Sequence, residues 1–237
     1  MKKGIVLKIS GEALAGPNGI GIDHAKVLEI AKEIKELYEV GGIELSVVVG
    51  AGNIFRGRDA IKVGMNRSNA DYMGMLATIL NALSIQSALE SLGLDTRVMT
   101  SLSIPQVAEP YIRRKALSHL EKDRVIIFGG GNGIPFFSTD TTAALRAAEL
   151  GASLILMAKN GVDGVYDKDP RKFTDAIRYD KVTFDEVIKQ DLRVMDPTAF
   201  TLARDTNLPI VVFKISEEDS VLNVINGNGK YTLITNG

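Results

Sequence analysis

RVIIFGGGNGIPFFSTDTTAALRAAELG, residues 124–151, decides the fold. It opens on a β-branched apolar run, RVIIF (124–128), passes through three consecutive glycines and a Pro-Phe-Phe wedge, and reaches Ser138, Thr139 and Asp140. A helical pattern, TTAALRAAEL, follows from Thr141 to Leu150 and is closed by Gly151. Strand, glycine loop and helix in that order make one βα unit. A glycine run means that the backbone must come close to something, and here that is either another chain segment or a ligand. The same alternation runs outward in both directions. Further strands are expected at GIVLKI (4–9), IELSVVV (43–49), TRVMT (96–100), SLILMA (153–158), IVVF (210–213) and YTLIT (231–235). Several lack polar alternation, as strands covered on both faces do. A helix after Asp23 repeats Val27, Ile30, Ala31, Ile34, Leu37 and Tyr38 at three- and four-residue spacing and ends at Gly41. A longer one covers about Asn69 to Leu92, closed by Gly93. The pattern predicts an open, mainly parallel α/β sheet with ligands beyond the carboxyl ends of its strands.

Composition narrows the chemistry. The 237 residues are 45% hydrophobic and 24% charged, with a formal net charge of -1, enough for one large domain or two small lobes. The absence of cysteine excludes disulfides, thiolate metal sites and a Cys nucleophile, and His24 and His119 are the only imidazoles. The near-zero charge is weak evidence against nucleic acid as the main partner, and YIRRK (111–115) reads as a solvated helix face. No run reaches the roughly 18 unbroken apolar residues of a membrane span. The N-terminal GIVL is interrupted by Lys8 and reads as a strand rather than a signal peptide. These features describe a globular protein of cytoplasmic type.

Three glycine-rich loops fall at strand ends: KISGEALAGPNGIG after the first strand, GAGNIFRGRD after the second, and the opening stretch. None is a standard fingerprint. No G-x-x-x-x-G-K-[ST] exists, and GAGNIF carries Phe55 at the third glycine position of G-x-G-x-x-G. Backbone N–H groups at such turns and at helix starts bind anions, phosphate above all. Phosphoryl transfer asks a protein mainly for positioning and positive charge. Lys8, ending a strand just before Ser10 and Gly11, is either a solvated strand end or a phosphate ligand; about 4 Å from a phosphate it gains on the order of 4 kcal/mol at an effective dielectric near 20. Asp140 is either an N-cap or a group that orients a lysine or metal. Arg56 reads as a surface charge or a ligand, and Asp71 as a first-turn acid or a binding group.

KISGEAL (8–14), GNIFRG (52–57), MNRSNADYMGMLAT (65–78), GIPFFSTD (133–140), VDGVYDKDP (162–170) and RVMDPTAFTLARD (193–205) together resemble the bacterial uridylate kinases, within the amino-acid kinase superfamily. The likeness is collinear from about residue 3 to residue 235. It implies an α/β/α sandwich of the amino-acid kinase fold spanning residues 1–237, with an acceptor lobe over about 1–150 and an ATP lobe over about 151–237. It implies phosphorylation of UMP by ATP with Mg²⁺, in pyrimidine nucleotide (CTP) biosynthesis, by a homohexamer. Lys8 and Asp140 are then the catalytic candidates. Lys8, Ile9, Ser10, Gly11, Gly52 and Arg56 face the ATP phosphates, and Asn160, Tyr166 and Asp169 line the nucleoside pocket. Ala51, Asp71, Asn132, Gly133, Ile134, Pro135, Phe136, Phe137, Ser138 and Thr139 surround UMP, the glycines letting amides crowd the acceptor and the Phe pair walling the site. No protein side chain is assigned directly to the metal.

The chain departs from the family pattern at Ala51, where glycine is usual, and at Asn132, where threonine is common. The turn Gly16, Pro17, Asn18, Gly19, Ile20 and Gly21 matches a region tied to GTP activation in the family, and is equally a plain Pro-Asn-Gly turn. UTP inhibition and a lid around Asp167 to Asp180 are family expectations. Two other readings compete with UMP phosphorylation. One is a superfamily kinase for an amino acid or carbamate; the other is a nucleotide-binding storage or regulatory protein without turnover. Asp71 and the Met195–Asp205 stretch disfavour the first, and retention of Lys8 and Asp140 disfavours the second.

Overall fold

The computed structural model describes residues 2–192, 195–215 and 221–237. Arg193 and Val194, the first two residues of RVMDPTAFTLARD, lie outside the described residues. In chain order the elements are β1 (Lys3–Ile9), α1 (His24–Glu39), β2 (Ile43–Val49), α2 (Gly57–Lys62), α3 (Arg67–Ser91), β3 (Thr96–Thr100), β4 (Glu109–Pro110), α4 (Arg113–Glu121) and β5 (Val125–Gly129). Then come α5 (Thr139–Leu150), β6 (Leu154–Lys159), β7 (Val165–Tyr166), β8 (Arg178–Tyr179), β9 (Lys181–Thr183), α6 (Phe184–Lys189), α7 (Pro197–Asp205), β10 (Ile210–Lys214), α8 (Val221–Ile225) and β11 (Tyr231–Thr235).

Among the described residues the main sheet runs β4-β3-β5-β2-β1-β6-β10-β11-β9, and every neighbouring pair is parallel except β10 with β11. The chain leaves β1 toward β2 on one side and later returns to β6 on the other. That reversal makes the carboxyl ends of β1 and β6 a topological switch point, where an open α/β sheet binds its ligand.

Helices cover both faces, and the strands sort residues between them with period two. Ile5, Leu7 and Ile9 of β1 pack in one core with Val27, Ile30 and Ile34 of α1 and Ile85 and Leu89 of α3. Val6 faces the opposite core, with Ala143, Ala144 and Ala147 of α5 and Ala199 and Ala203 of α7. Lys8 shares the parity of Val6, so it leaves the sheet on the α5 face. Arg67–Ser91 is long and apolar enough by composition to cross a membrane, and here its Ala82, Ile85 and Leu89 are buried in the first core.

The long helices α1, α3 and α5 each start after a short polar side chain and are followed by a glycine. The Asp23 carboxylate accepts from the N–H groups of Ala25 and Lys26 at 2.9 and 3.1 Å. Asn66 does the same for α3, which begins two residues before the predicted start. For α5 the cap is Ser138, whose Oγ accepts from Asp140 and Thr141 N–H, and Gly151 closes the helix with φ 69°. Helix α5 thus starts at Thr139, and Asp140 sits inside its first turn rather than at the cap. Strand β5 is shifted one residue from RVIIF, because the Arg124 N–H bonds back to His119 O at the end of α4 at 3.1 Å.

Candidate active site

Lys8 and Asp140 meet at the switch point. The Lys8 ammonium lies 2.7 Å from the Asp140 carboxylate, and both residues are buried. A second cation, absent from the sequence reading, completes the cluster: Lys159 at the end of β6 donates to the other Asp140 oxygen at 2.9 Å. The register of parallel β1 and β6 aligns Lys8 with Met157, so Lys159 lies two residues further along, on the same face. Burial works to raise the Asp140 carboxyl, and the flanking Lys8 and Lys159 ammoniums outweigh it, holding the group at about 2. Burial pushes the Lys159 ammonium down, against the pull of Asp140. Two cations on one carboxylate leave a net positive charge beside the glycine loops, which suits a polyanion.

The loop after β1 is pinned to its neighbours. A Cβ at Gly11 would stand 2.6 Å from the Gly50 carbonyl oxygen, so only glycine lets the first two loops touch. Glu12 pairs with Arg56 at 3.0 Å and accepts from Asn160 Nδ2 at 2.9 Å, and Arg56 Nε donates to Gly52 O at 3.1 Å. Asn53 and Asn81 form a buried reciprocal amide pair, at 3.0 and 2.7 Å, with Asn81 donating onward to Gly50 O and Asn53 to Gly21 O. This pair ties the exposed Gly16–Gly21 turn to the second glycine loop.

The glycine run answers mainly to the chain itself. Gly130, at φ 77°, stands where a Cβ would meet Thr100 Oγ1 at 2.6 Å, and Gly133, at φ 79°, where one would meet Ser101 O at 2.9 Å. Their conformational freedom lets the loop fold against residues 100–102. The pocket they help enclose measures about 130 Å³ and is lined by Ala51, Gly57, Ala70, Asp71, Gly74, Met75, Thr78, Gly131, Asn132, Ile134, Phe137, Ser138 and Thr139. Of the expected Phe pair, Phe137 lies on its wall, together with Ile134. Phe136 does not line it; its ring lies under the Arg67 guanidinium, 5.6 Å from the carbon to the ring centre. Asn132 Oδ1 is buried without a hydrogen-bond partner, an uncommitted acceptor at the pocket wall. Pro135 is half-buried between them.

A second cleft, of about 630 Å³, opens beyond β6 and is lined by Lys159, Asn160, Tyr166 and Asp169 among others. Tyr166 donates to Asp163 at 2.6 Å; burial and that carboxylate push its phenol up to about 12. Asp169 caps the turn at Arg171 N–H at 3.1 Å, and that bond leads the effects that lower its carboxyl. Asp196, at the start of α7, accepts from Ser138 Oγ and from Thr141 Oγ1 at 2.9 Å, bracing the α5 start.

A family model described as the amino acid kinase family matches residues 3–214. A uridylate kinase of Limosilactobacillus reuteri (strain DSM 20016) is 53% identical over 232 residues, covering 98% of this chain and 96% of its own. The chain belongs to the amino acid kinase family, among its uridylate kinases. Solved relatives agree along the whole fold. A UMP kinase from Ureaplasma parvum superposes with a TM-score of 0.94 at 39% identity, covering 99% of each chain. One from Bacillus anthracis gives 0.93 at 42%, covering 99% of this chain and 96% of that one. The resemblance noted from six collinear segments is therefore borne out, as is the mainly parallel sheet between helical layers.

Proposed function

We propose that the protein transfers the γ-phosphoryl group of ATP to UMP, giving ADP and UDP, at the rim where β1, β2, β5 and β6 end. The observation that carries this reading is the Lys8–Asp140–Lys159 cluster, with Lys8 and Asp140 buried, at the switch point of a uridylate kinase chain. ATP lies with its nucleoside in the larger cleft against Asn160, Tyr166 and Asp169. Its phosphates run toward Lys8, Ile9, Ser10, Gly11, Gly52 and Arg56. UMP occupies the smaller pocket, its sugar hydroxyls donating to Asp71 and its phosphate near Thr139 and Ser138. An oxygen of the UMP phosphate attacks the γ-phosphorus in line, and the bond to the β–γ bridging oxygen breaks. The nucleophile is already anionic, so no base is required. Asp140, held at about 2 between two ammoniums, is unsuited to be one; it keeps Lys8 and Lys159 aimed at the moving group. Two such donors stabilise charge that spreads over the equatorial oxygens.

The donor set fits magnesium carried mainly by the nucleotide phosphates, since the buried carboxylate at the rim is already bonded to two lysines. Such an ion, when bound, neutralises phosphate charge. The same reading includes a cytoplasmic homohexamer supplying UDP for pyrimidine nucleotide (CTP) biosynthesis, with GTP and UTP as effectors. Exposed Met73, Leu76 and Leu80 on α3 offer an apolar face for subunit contact, and the Gly16–Gly21 turn offers an effector-sensitive segment. A coupled assay of ADP release decides the reaction. UMP supports turnover, while CMP, glutamate, aspartate and carbamate are nearly inert; a comparable rate with any of these overturns the acceptor assignment. The assay repeated with GTP and with UTP tests regulation.

A further inference from the structure

Arg67 is placed where a helix gains nothing from it. It is the first residue of α3, next to the capping Asn66, where the positive end of the helix dipole disfavours a cation. Its partner Asp71 follows four residues later, and an acid C-terminal to a base is the weaker order for such a helical pair. Half of the Arg67 side chain is exposed, whereas Asp71 is largely buried.

The purpose of the pair lies across the pocket. Arg67 Nε donates to both Asp71 oxygens, at 3.0 and 2.8 Å. Asp71 Oδ2 also accepts from the Phe136 N–H at 2.8 Å. Phe136 has φ 74°, a left-handed conformation that a bulky residue adopts only under constraint, and its exposed ring is covered by the same guanidinium. One arginine therefore fixes the carboxylate and, with it, the strained tip of the IPFF loop that walls the pocket. A carboxylate offers about four acceptor positions, so Oδ1, which also accepts from Arg67, keeps one for a donor in the pocket while Oδ2 holds the loop.

We infer that Arg67 is a positioning residue for acceptor binding: it orients Asp71 and clamps Phe136 so that the small pocket is formed before the nucleotide arrives. This rests on the reading of that pocket as the UMP site. The experiment is steady-state kinetics of the full chain with UMP and ATP varied in turn, alongside thermal melting. Arg67→Ala raises KM for UMP about tenfold, on the scale of one charge-assisted hydrogen bond. KM for ATP and kcat at saturating UMP stay within about twofold, and Tm within about 2 °C, as loss of an exposed ion pair dictates. Arg67→Lys recovers part of the loss, keeping the charge without the planar face over Phe136. An unchanged KM for UMP in Arg67→Ala overturns the inference. So does a rise in both KM values together with a large fall in Tm, which marks a structural role. Failure of the unmodified protein to turn over UMP overturns instead the kinase reading beneath it.

Discussion

The two clefts flanking Asp140 differ in size and in construction. The smaller pocket, proposed for the acceptor, measures about 130 Å³ and is built on the long helix α3 and on a loop whose glycines are wedged against residues 100–102. The larger cleft, proposed for the donor, measures about 630 Å³ and is lined by β7, by residues 167–172 after it, and by Gln190, Asp191 and Leu192. Lys159 lines the larger, Thr139 lines the smaller, and Asp140 follows Thr139 in sequence and bonds Lys159. On the proposed reading, the tight pocket on the long helix discriminates among small acceptors. On the same reading, the wide cleft on short elements accommodates the larger donor and leaves room for rearrangement. The comparison teaches that selectivity and capacity are divided between two supports, while the charge that serves the reaction is shared.

That division gives variants with separable effects. Lys8→Ala removes shared charge and lowers kcat about a thousandfold, the scale of one preorganised donor aimed at developing negative charge. Circular dichroism of the variant checks that the sheet persists. Asp140→Asn leaves both lysines without their counter-charge and lowers kcat about a hundredfold. An effect confined to Tm assigns Asp140 to stability alone.

Asp140 also sets an acid limit. Its carboxyl is held at about 2, below its usual 3.8, so its stabilisation is complete above about pH 4 and is lost as pH falls through about 2. Denaturant titrations between pH 5 and pH 2 therefore show the unmodified chain losing about 2 kcal/mol that Asp140→Asn does not lose.

Two smaller effects separate the clefts. Asp71→Asn raises KM for UMP about tenfold and leaves KM for ATP unchanged, since a neutral amide accepts sugar hydroxyls less strongly. Tyr166→Phe removes the hydroxyl bound to Asp163 and raises KM for ATP about threefold, the scale of a neutral hydrogen bond. A variant of one cleft that shifts the other substrate's KM breaks the comparison; clean separation sharpens it.

Much of the fold was legible because doubly covered strands are apolar throughout. Each of the three long helices also carries a short polar residue before it and a glycine after it. The short strands β4, β7, β8 and β9 span two or three residues, too few to show a period. Helices α6 and α7 did carry signals that were passed over: Thr183 and Glu186 form a capping box, and Asp196 precedes Pro197 at a helix start. Lys159 was equally accessible. SLILMAK ends an apolar strand in a lysine as GIVLK does, and period-two parity sends both to the face of α5. What no pattern could supply was the partner of the glycine run, because the approach of Ser101 to Gly133 depends on how β3 and β5 pair.

The pairing of β1 with β6 has a further consequence. One ammonium comes from the eighth residue and the other from residue 159, and continuous hydrogen bonding joins their strands at the middle of one sheet. A break engineered between α5 and β6 therefore yields two inert fragments whose activity returns only on reassembly, making turnover itself a reporter of complementation. Chimaeras exchanged at that same joint between relatives inherit half of their cationic pair from each parent.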